Sequence, residues 1–261
     1  MIAALIAGGV FVALLVGAIF VFAPRPQEVP VAESPTPSTT PTPSTSPTPR
    51  PPSPLKLTFD RRTLSITDPS SLWVVVNKLN PLNPKEFAAP DLVSVPVPFV
   101  NAPTMRKEAA DQIVAMFAAY KGETGNQMQA QSAYRSYGVQ VNVYQGWVNS
   151  LGQEGADLTS ARPGHSEHQT GLAMDISSVP AVCPLKACFA DTDQGKWLAA
   201  NAYKWGFILR YPNGKTSVTG YEFEPWHYRY VGVSLATAMH DTGIHTMEEF
   251  FGLPAAPDYS G

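Results

Sequence analysis

The sequence predicts an α+β domain carried behind a membrane span and a spacer. Three observations predict it. Stretches with helical apolar periodicity are mixed with short β-branched runs and show no regular strand-helix alternation, which argues against a doubly wound sheet. Residues 2–23, IAALIAGGVFVALLVGAIFVFA, form an uncharged apolar run of 22, enough to cross about 30 Å of hydrocarbon as a helix. Residues 24–54 hold 12 Pro and 11 Ser or Thr among 31 positions, a composition that packs no core and favours solvated polyproline II.

A cleaved signal peptide competes with the span. It expects a basic n-region, a shorter apolar core and small residues at the cut; here no Lys or Arg precedes the run and Pro24 follows Ala23. An uncleaved single-pass anchor over 1–23 is therefore expected, with a linker over 24–54 and one domain over 55–261. At about 3.1 Å per residue the linker reaches roughly 90 Å, and its Ser and Thr are candidates for O-glycosylation. Arg25, Glu28, Glu33 and Arg50 cancel, so the net charge of -3 belongs to the domain. That balance excludes a nucleic-acid partner gripped through phosphates, which needs a basic face. Cys183 and Cys188, in CPLKAC, are the only cysteines. With no second pair to complete a four-sulfur metal site, and with export implied by the span, a disulfide stapling a short insertion is expected.

Within the domain, residues 71–79, SLWVVVNKL, are a β-branched run bounded by turn residues and predict a buried strand. The Pro-rich segment 87–100 predicts an extended surface stretch. In 104–122, Ala109, Ile113, Met116, Phe117 and Tyr120 form one apolar stripe on a helix ending at Gly122. A strand is expected over 128–136, and a helix over 137–152 interrupted by Gly146. A further helix over 192–206 has Asp193 as N-cap and Gly206 as stop. Thr246 and Glu249 have capping-box spacing before a last short helix.

The chemistry concentrates in two stretches. In GLAMDI, Leu172, Met174 and Ile176 alternate with Gly171, Ala173 and Asp175; on a strand these are opposite faces, so Asp175 points away from the core among small neighbours. His168 lies across the QTG turn. In EFEPWHYRY, an extended chain puts Trp226, Tyr228 and Tyr230 on one face and His227 and Arg229 on the other, toward a cleft. Glu224 has the wrong parity to join His227 unless Pro225 marks a bend. His168, Asp175 and His227 together offer two imidazoles and a carboxylate, a set that suits zinc with the fourth position left to water. Glu224 is a candidate base and Arg135 a candidate donor to developing negative charge. Residue types alone leave His165, His240 and His245 as rival ligands and Arg210 and Arg229 as rival donors.

The segments SEHQTGLAMD and EPWHYRYVG resemble the two signatures, S-x-H-x(6)-D and E-x-W-H, of the VanY-type D-alanyl-D-alanine carboxypeptidases, zinc peptidases of the peptidoglycan-cleaving LAS group. The resemblance extends over most of 72–252, through VNKLNPL, VPFVNAPTMRKEAA, SAYRSYGVQ and WLAANAYKWGFILRYP in the family's order. It implies a small antiparallel sheet with flanking helices. It implies zinc on His168, Asp175 and His227, Glu224 as catalytic base, and Arg135 against the substrate and its oxyanion. It also implies substrate contacts by Gln140, Ser166 and Tyr211. His165 and Glu167 are left as neighbours of the site. The implied substrate is the peptide stem of peptidoglycan, cut near a terminal D-amino acid; the span and spacer are expected to hold the domain, as a monomer, outside the bacterial cell membrane. The cysteine-bearing segment VCPLKACFADTD departs from the family pattern and bears on pocket shape.

Two other readings stand beside this one. A serine D,D-peptidase would use S-x-x-K and K-T-G elements; SPLK at 53–56 lies in the Pro-rich tract and KTS at 215–217 is incomplete. A non-catalytic wall-binding module would lack the base or the Arg, and Glu224 and Arg135 are both present. Within the peptidase reading, D,D cleavage of a pentapeptide, L,D cleavage of a tetrapeptide and endopeptidase action stay open.

Overall fold

The computed structural model describes residues 59–260; the expected span and linker lie outside the described residues. Among the described residues no helix is long and apolar enough to cross a membrane. The elements run β1 (Leu92–Ser94), β2 (Thr104–Arg106), α1 (Lys107–Thr124), β3 (Gln127–Ser132), α2 (Tyr137–Thr159), β4 (Ala173–Val179), α3 (Asp193–Asn201), β5 (Phe207–Leu209), α4 (Thr216–Thr219), β6 (His227–Tyr230), α5 (Val233–Thr242) and α6 (Met247–Phe251). β1 and β2 form a small ribbon, and β3-β4-β6-β5 form a four-stranded sheet. Every pairing in both is antiparallel.

The alternation in GLAMDI builds the two faces of this sheet. Leu172, Met174 and Ile176 are fully buried with Tyr228 and Tyr230 of β6 against Ile113, Met116 and Tyr120 of α1 and Leu198 of α3. The opposite face carries Asp175, His227 and Arg229. A second core, Trp73, Val75, Val231, Leu235, Met239, Met247 and Phe250, holds the C-terminal helices.

Several expectations shift by local physics. Residues 73–78 are buried as expected but form no strand. The carbonyls of Leu72 and Val74 instead accept from the Arg229 guanidinium at 3.1 and 2.9 Å, so a side chain occupies the place of a neighbouring strand. Residues 104–106 pair as β2 before the helix begins. Gly122 does not end α1: its helical cost is about 1 kcal/mol, and the helix closes at Gly125 in the left-handed region with φ 74°. α2 runs through Gly146 and kinks at Gly152. Thr192, not Asp193, caps α3, its hydroxyl accepting from Gly195 N at 3.0 Å, while Asp193 sits in the first turn where the helix dipole favours an acid. A 3-10 turn, Ala202–Trp205, separates α3 from Gly206. The Thr246 cap forms, its hydroxyl accepting from Glu249 N at 3.2 Å.

Ile176 is fully buried beneath the sheet whereas Val139 is 48% exposed on α2. Ile176→Ala should lower unfolding free energy by about 2–5 kcal/mol, and Val139→Ala by no more than about 0.5 kcal/mol, measured by urea denaturation.

Candidate metal centre

Strand register places the first pair of site residues. Asp175 lies on the central strand β4 and is the direct antiparallel partner of His227 on β6, so the two side chains leave the sheet side by side. The Nδ1 of His227 is 3.1 Å from Asp175 Oδ1. A bulge between Ala130 and Ser132 in β3 turns the chain toward Ala133 and Arg135. His168 arrives on a 3-10 turn, Glu167–Thr170, closed by Gly171 at φ 70°. That φ favours glycine, and a Cβ there would also crowd Leu92 Cδ2 at 2.7 Å and the Arg106 backbone nitrogen at 3.3 Å, both in the ribbon. His168 Nε2 then lies 3.3 Å from Asp175 Oδ2. One ligand atom from each of the three residues falls within 4.8 Å of the others.

Pro225 marks the bend that the parity of Glu224 demands. His227 N donates to the Glu224 carbonyl at 3.0 Å across it, and the turn swings the Glu224 carboxylate to 3.7 Å from His227 Nδ1.

The remaining imidazole nitrogens are already committed. His168 Nδ1 is 2.7 Å from the Ala133 carbonyl, which can only accept, so that nitrogen carries the hydrogen and Nε2 presents a lone pair. His227 Nε2 faces Glu167 Oε2 at 3.3 Å, leaving Nδ1 for the site. Glu167 is fully buried between Arg229 at 2.7 Å and Arg210 at 2.9 Å, and Arg210 continues to Glu248 at 2.7 Å. This is the outer-shell arrangement that orients histidines toward a metal. Glu167 was set aside by sequence reasoning as a neighbour. A signal for it existed: Arg210 and Arg229 each interrupt a strongly apolar run, and a buried guanidinium calls for a buried carboxylate. Arg229 accordingly does not face the cleft as expected; it is fully buried behind the site.

Charge follows from these contacts. Burial would raise the Asp175 carboxyl, yet His168 and His227 hold it well below the usual range. Burial likewise opposes ionisation of Glu167, and Arg229 and Arg210 override it. His168 is pushed down by burial and by Arg135. His227 is raised to about 9, its hydrogen bonds to Asp175 and Glu167 outweighing burial. Burial pushes the Glu224 carboxyl up to about 8, against the pull of His227 and Arg135. His168 Nε2 and the Asp175 carboxylate thus converge as acceptors, and a protonated His227 donates its Nδ1 hydrogen to Asp175; a divalent cation in place of that proton would satisfy the same three groups. The donor set and its fixed tautomers fit a metal ion of the zinc type.

The three residues form the floor of a cleft of about 430 Å³, with Glu224, Arg135, Ser166 and Tyr211 in its walls. Arg135 lines this cleft, and its buried Nε has no hydrogen-bond partner. The Tyr211 ring packs 4.9 Å from the His227 ring. Gln140 lies behind the wall, donating to Ser160 and the Ala161 carbonyl at 3.2 and 2.7 Å. The Cys183–Cys188 disulfide forms, and its loop supplies part of the cleft rim. Trp226 is half-buried against the core and also lines the cleft. The rival histidines lie elsewhere: His165 Nδ1 meets the Asn77 carbonyl at 2.9 Å, and His240 stacks on Tyr203. Lys215, in the KTS stretch, pairs with Glu249 outside the cleft.

A family model described as VanY, D-alanyl-D-alanine carboxypeptidase, matches residues 102–233, a span that contains the whole cleft floor. The chain belongs to the VanY family. It is 44% identical to YodJ of Bacillus subtilis (strain 168) over 192 residues, 72% of this chain and 69% of that protein. Among solved structures it is similar to the LdcB LD-carboxypeptidase, at 43% identity and TM-score 0.65, covering 70% of this chain and 87% of that one. It is also similar to a mutant of the D,D-pentapeptidase VanY of a VanB-type vancomycin resistance cassette in complex with Zn(II), at 30% identity and TM-score 0.57, covering 69% and 98%. Membership in the VanY family makes this chain a carboxypeptidase-type hydrolase.

The buried carboxylates of this VanY-type domain give stability a defined pH dependence. Glu167 and Glu248 have folded-state affinities for protons below the ordinary value of 4.5, so their contribution is complete above that value and lost as pH falls below it. Urea unfolding should show stability declining below about pH 4.5, and Glu248→Gln should flatten the decline while costing about 3 kcal/mol at neutral pH.

Proposed function

We propose that this protein is a zinc-dependent carboxypeptidase that removes a terminal D-amino acid, D-Ala, from peptidoglycan stem peptides. The observation that carries the reading is the convergence of His168 Nε2, Asp175 and His227 Nδ1 within 4.8 Å, each imidazole fixed by an outer acceptor, beneath a base and an unpaired guanidinium. Zinc on these three residues would supply Lewis acidity and lower the pKa of a water to about 7. Glu224, 3.7 Å from His227 Nδ1, would take a proton from the attacking water as a carboxylate and return it to the departing amine nitrogen; a bound cation would draw its carboxyl, raised by burial, down toward that ionised form. Arg135, with its free buried Nε, stabilises the negative charge that builds on the scissile carbonyl. Ser166 and Tyr211 shape the wall around the peptide, and Gln140 supports that wall through Ser160 and Ala161. The apolar run at 2–23 and the Pro-rich tract fit a single-pass anchor and spacer that place a monomeric catalytic domain outside the bacterial membrane, in the wall.

A second reading concerns the scissile bond. Similarity to an LD-carboxypeptidase at 43% identity, against 30% for the D,D-pentapeptidase, favours cleavage of the L,D bond of a tetrapeptide stem over the D,D bond of a pentapeptide. Mass spectrometry of defined tetra- and pentapeptide stems incubated with the zinc-loaded full-length chain separates the two by which peptide loses D-Ala. Release from neither sinks the carboxypeptidase proposal.

Chelation or Glu224→Gln should abolish D-Ala release; full activity in either case overturns the mechanism. Glu167→Gln should weaken zinc binding by about 10–100-fold, measured by competition with a chromophoric chelator. Undiminished affinity would remove Glu167 from the zinc site.

A further inference from the structure

The CPLKAC segment lies at the catalytic cleft yet has no part in the chemistry above. Leu185, Lys186 and Ala187 line the same cavity as His168, Asp175, Glu224 and His227. The loop is rigidly built. Cys183 and Leu185 have φ of 51° and 52° and are the only non-glycine residues with positive φ among the described residues. Such a conformation costs about 1–2 kcal/mol for an L-residue and persists where surrounding structure enforces it. Here the disulfide encloses both residues, Cys183 packs on the main core and Phe189, just past the ring, is fully buried in it. The backbone of Lys186 is tied on both sides: its N–H donates to the Cys183 carbonyl at 3.2 Å, and its carbonyl accepts from Phe189 N at 2.9 Å.

The side chain of Lys186, in contrast, is exposed at the cleft rim and has no hydrogen-bond or ion-pair partner among the described residues. Glu222, the exposed acid of the same cleft, makes no ion pair with it. The cleft therefore offers two unpaired cations: Arg135 at depth, beside the metal ligands, and Lys186 on the rim. Leu185, 45% exposed, and Trp147, 41% exposed, give the same rim apolar surface for a peptide backbone. Strain held by a covalent staple, with a fixed backbone and a free cation at the end, is a pre-organised recognition wall.

We propose that the disulfide loop 183–188 reads the substrate upstream of the scissile bond, with the Lys186 ammonium pairing with a free carboxylate on a residue of the stem. The inference rests on the peptidase reading and adds a specificity determinant to it. An acidic stem residue is preferred over its amide, and the disulfide keeps the wall in register with the catalytic floor.

The test uses the purified full-length, zinc-loaded chain and two synthetic stem peptides that differ only in one upstream carboxylate, free in one and amidated in the other. Wild type should favour the free acid by about fivefold in kcat/KM, the scale of a partly exposed ion pair, and the preference should fade in about 1 M salt as screening shortens to about 3 Å. The ratio should fall to about one in Lys186→Ala, invert in Lys186→Glu, and shrink in the Cys183→Ser/Cys188→Ser double variant. Equal rates on both peptides by wild type, or an unchanged ratio in Lys186→Glu, overturns the proposal while leaving the peptidase reading intact. Hydrolysis of neither peptide overturns both.

Discussion

One buried carboxylate, Glu167, organises the polar half of this domain. It faces His227, Arg210 and Arg229 within hydrogen-bonding range, and through the two guanidinium groups it reaches Glu248 of α6 and the carbonyls of Leu72 and Val74. Desolvating so many charges contributes little net stability compared with an apolar core of equal volume. Its consequence is geometric. Held at short range by both buried arginines, the carboxylate faces His227 Nε2 and so turns Nδ1 of that ring toward Asp175. The C-terminal helix and the segment 71–79 are thereby coupled to the cleft floor through the two arginines.

The sheet does the complementary work from the other side. β4 is central, with an apolar face committed to α1 and α3, so a one-residue slip would bury Asp175 in that core and expose Met174. The core therefore enforces the register that pairs Asp175 with His227. Two independent constraints, apolar packing beneath and an ionic network beside, meet at the same three side chains. The open groups of the cleft, Arg135 and Lys186, are the ones that neither constraint consumes.

Where sequence and structure part, the cause is a partner distant in the chain. Residues 71–79 have the composition of a strand, and burial followed; strand pairing did not, because Arg229 supplies the donors that a neighbouring strand would have given. The α1 stripe and the Thr246 cap were legible because both depend on contacts within a few residues. Glu167 was not legible as a site residue, since its importance lies in Arg210 and Arg229, 43 and 62 positions away.

By itself the sequence determined the α+β class, the opposite faces of GLAMDI, the need for a bend at Pro225 and the kinds of ligand available, because these follow from periodicity, turn chemistry and donor type within short windows. Its two signature segments also carried the family. Only the tertiary structure decided which histidines meet Asp175, which arginine stays unpaired and that the disulfide loop borders the cleft. Those are matters of strand register and long-range charge pairing, settled when segments dozens of residues apart exclude water together.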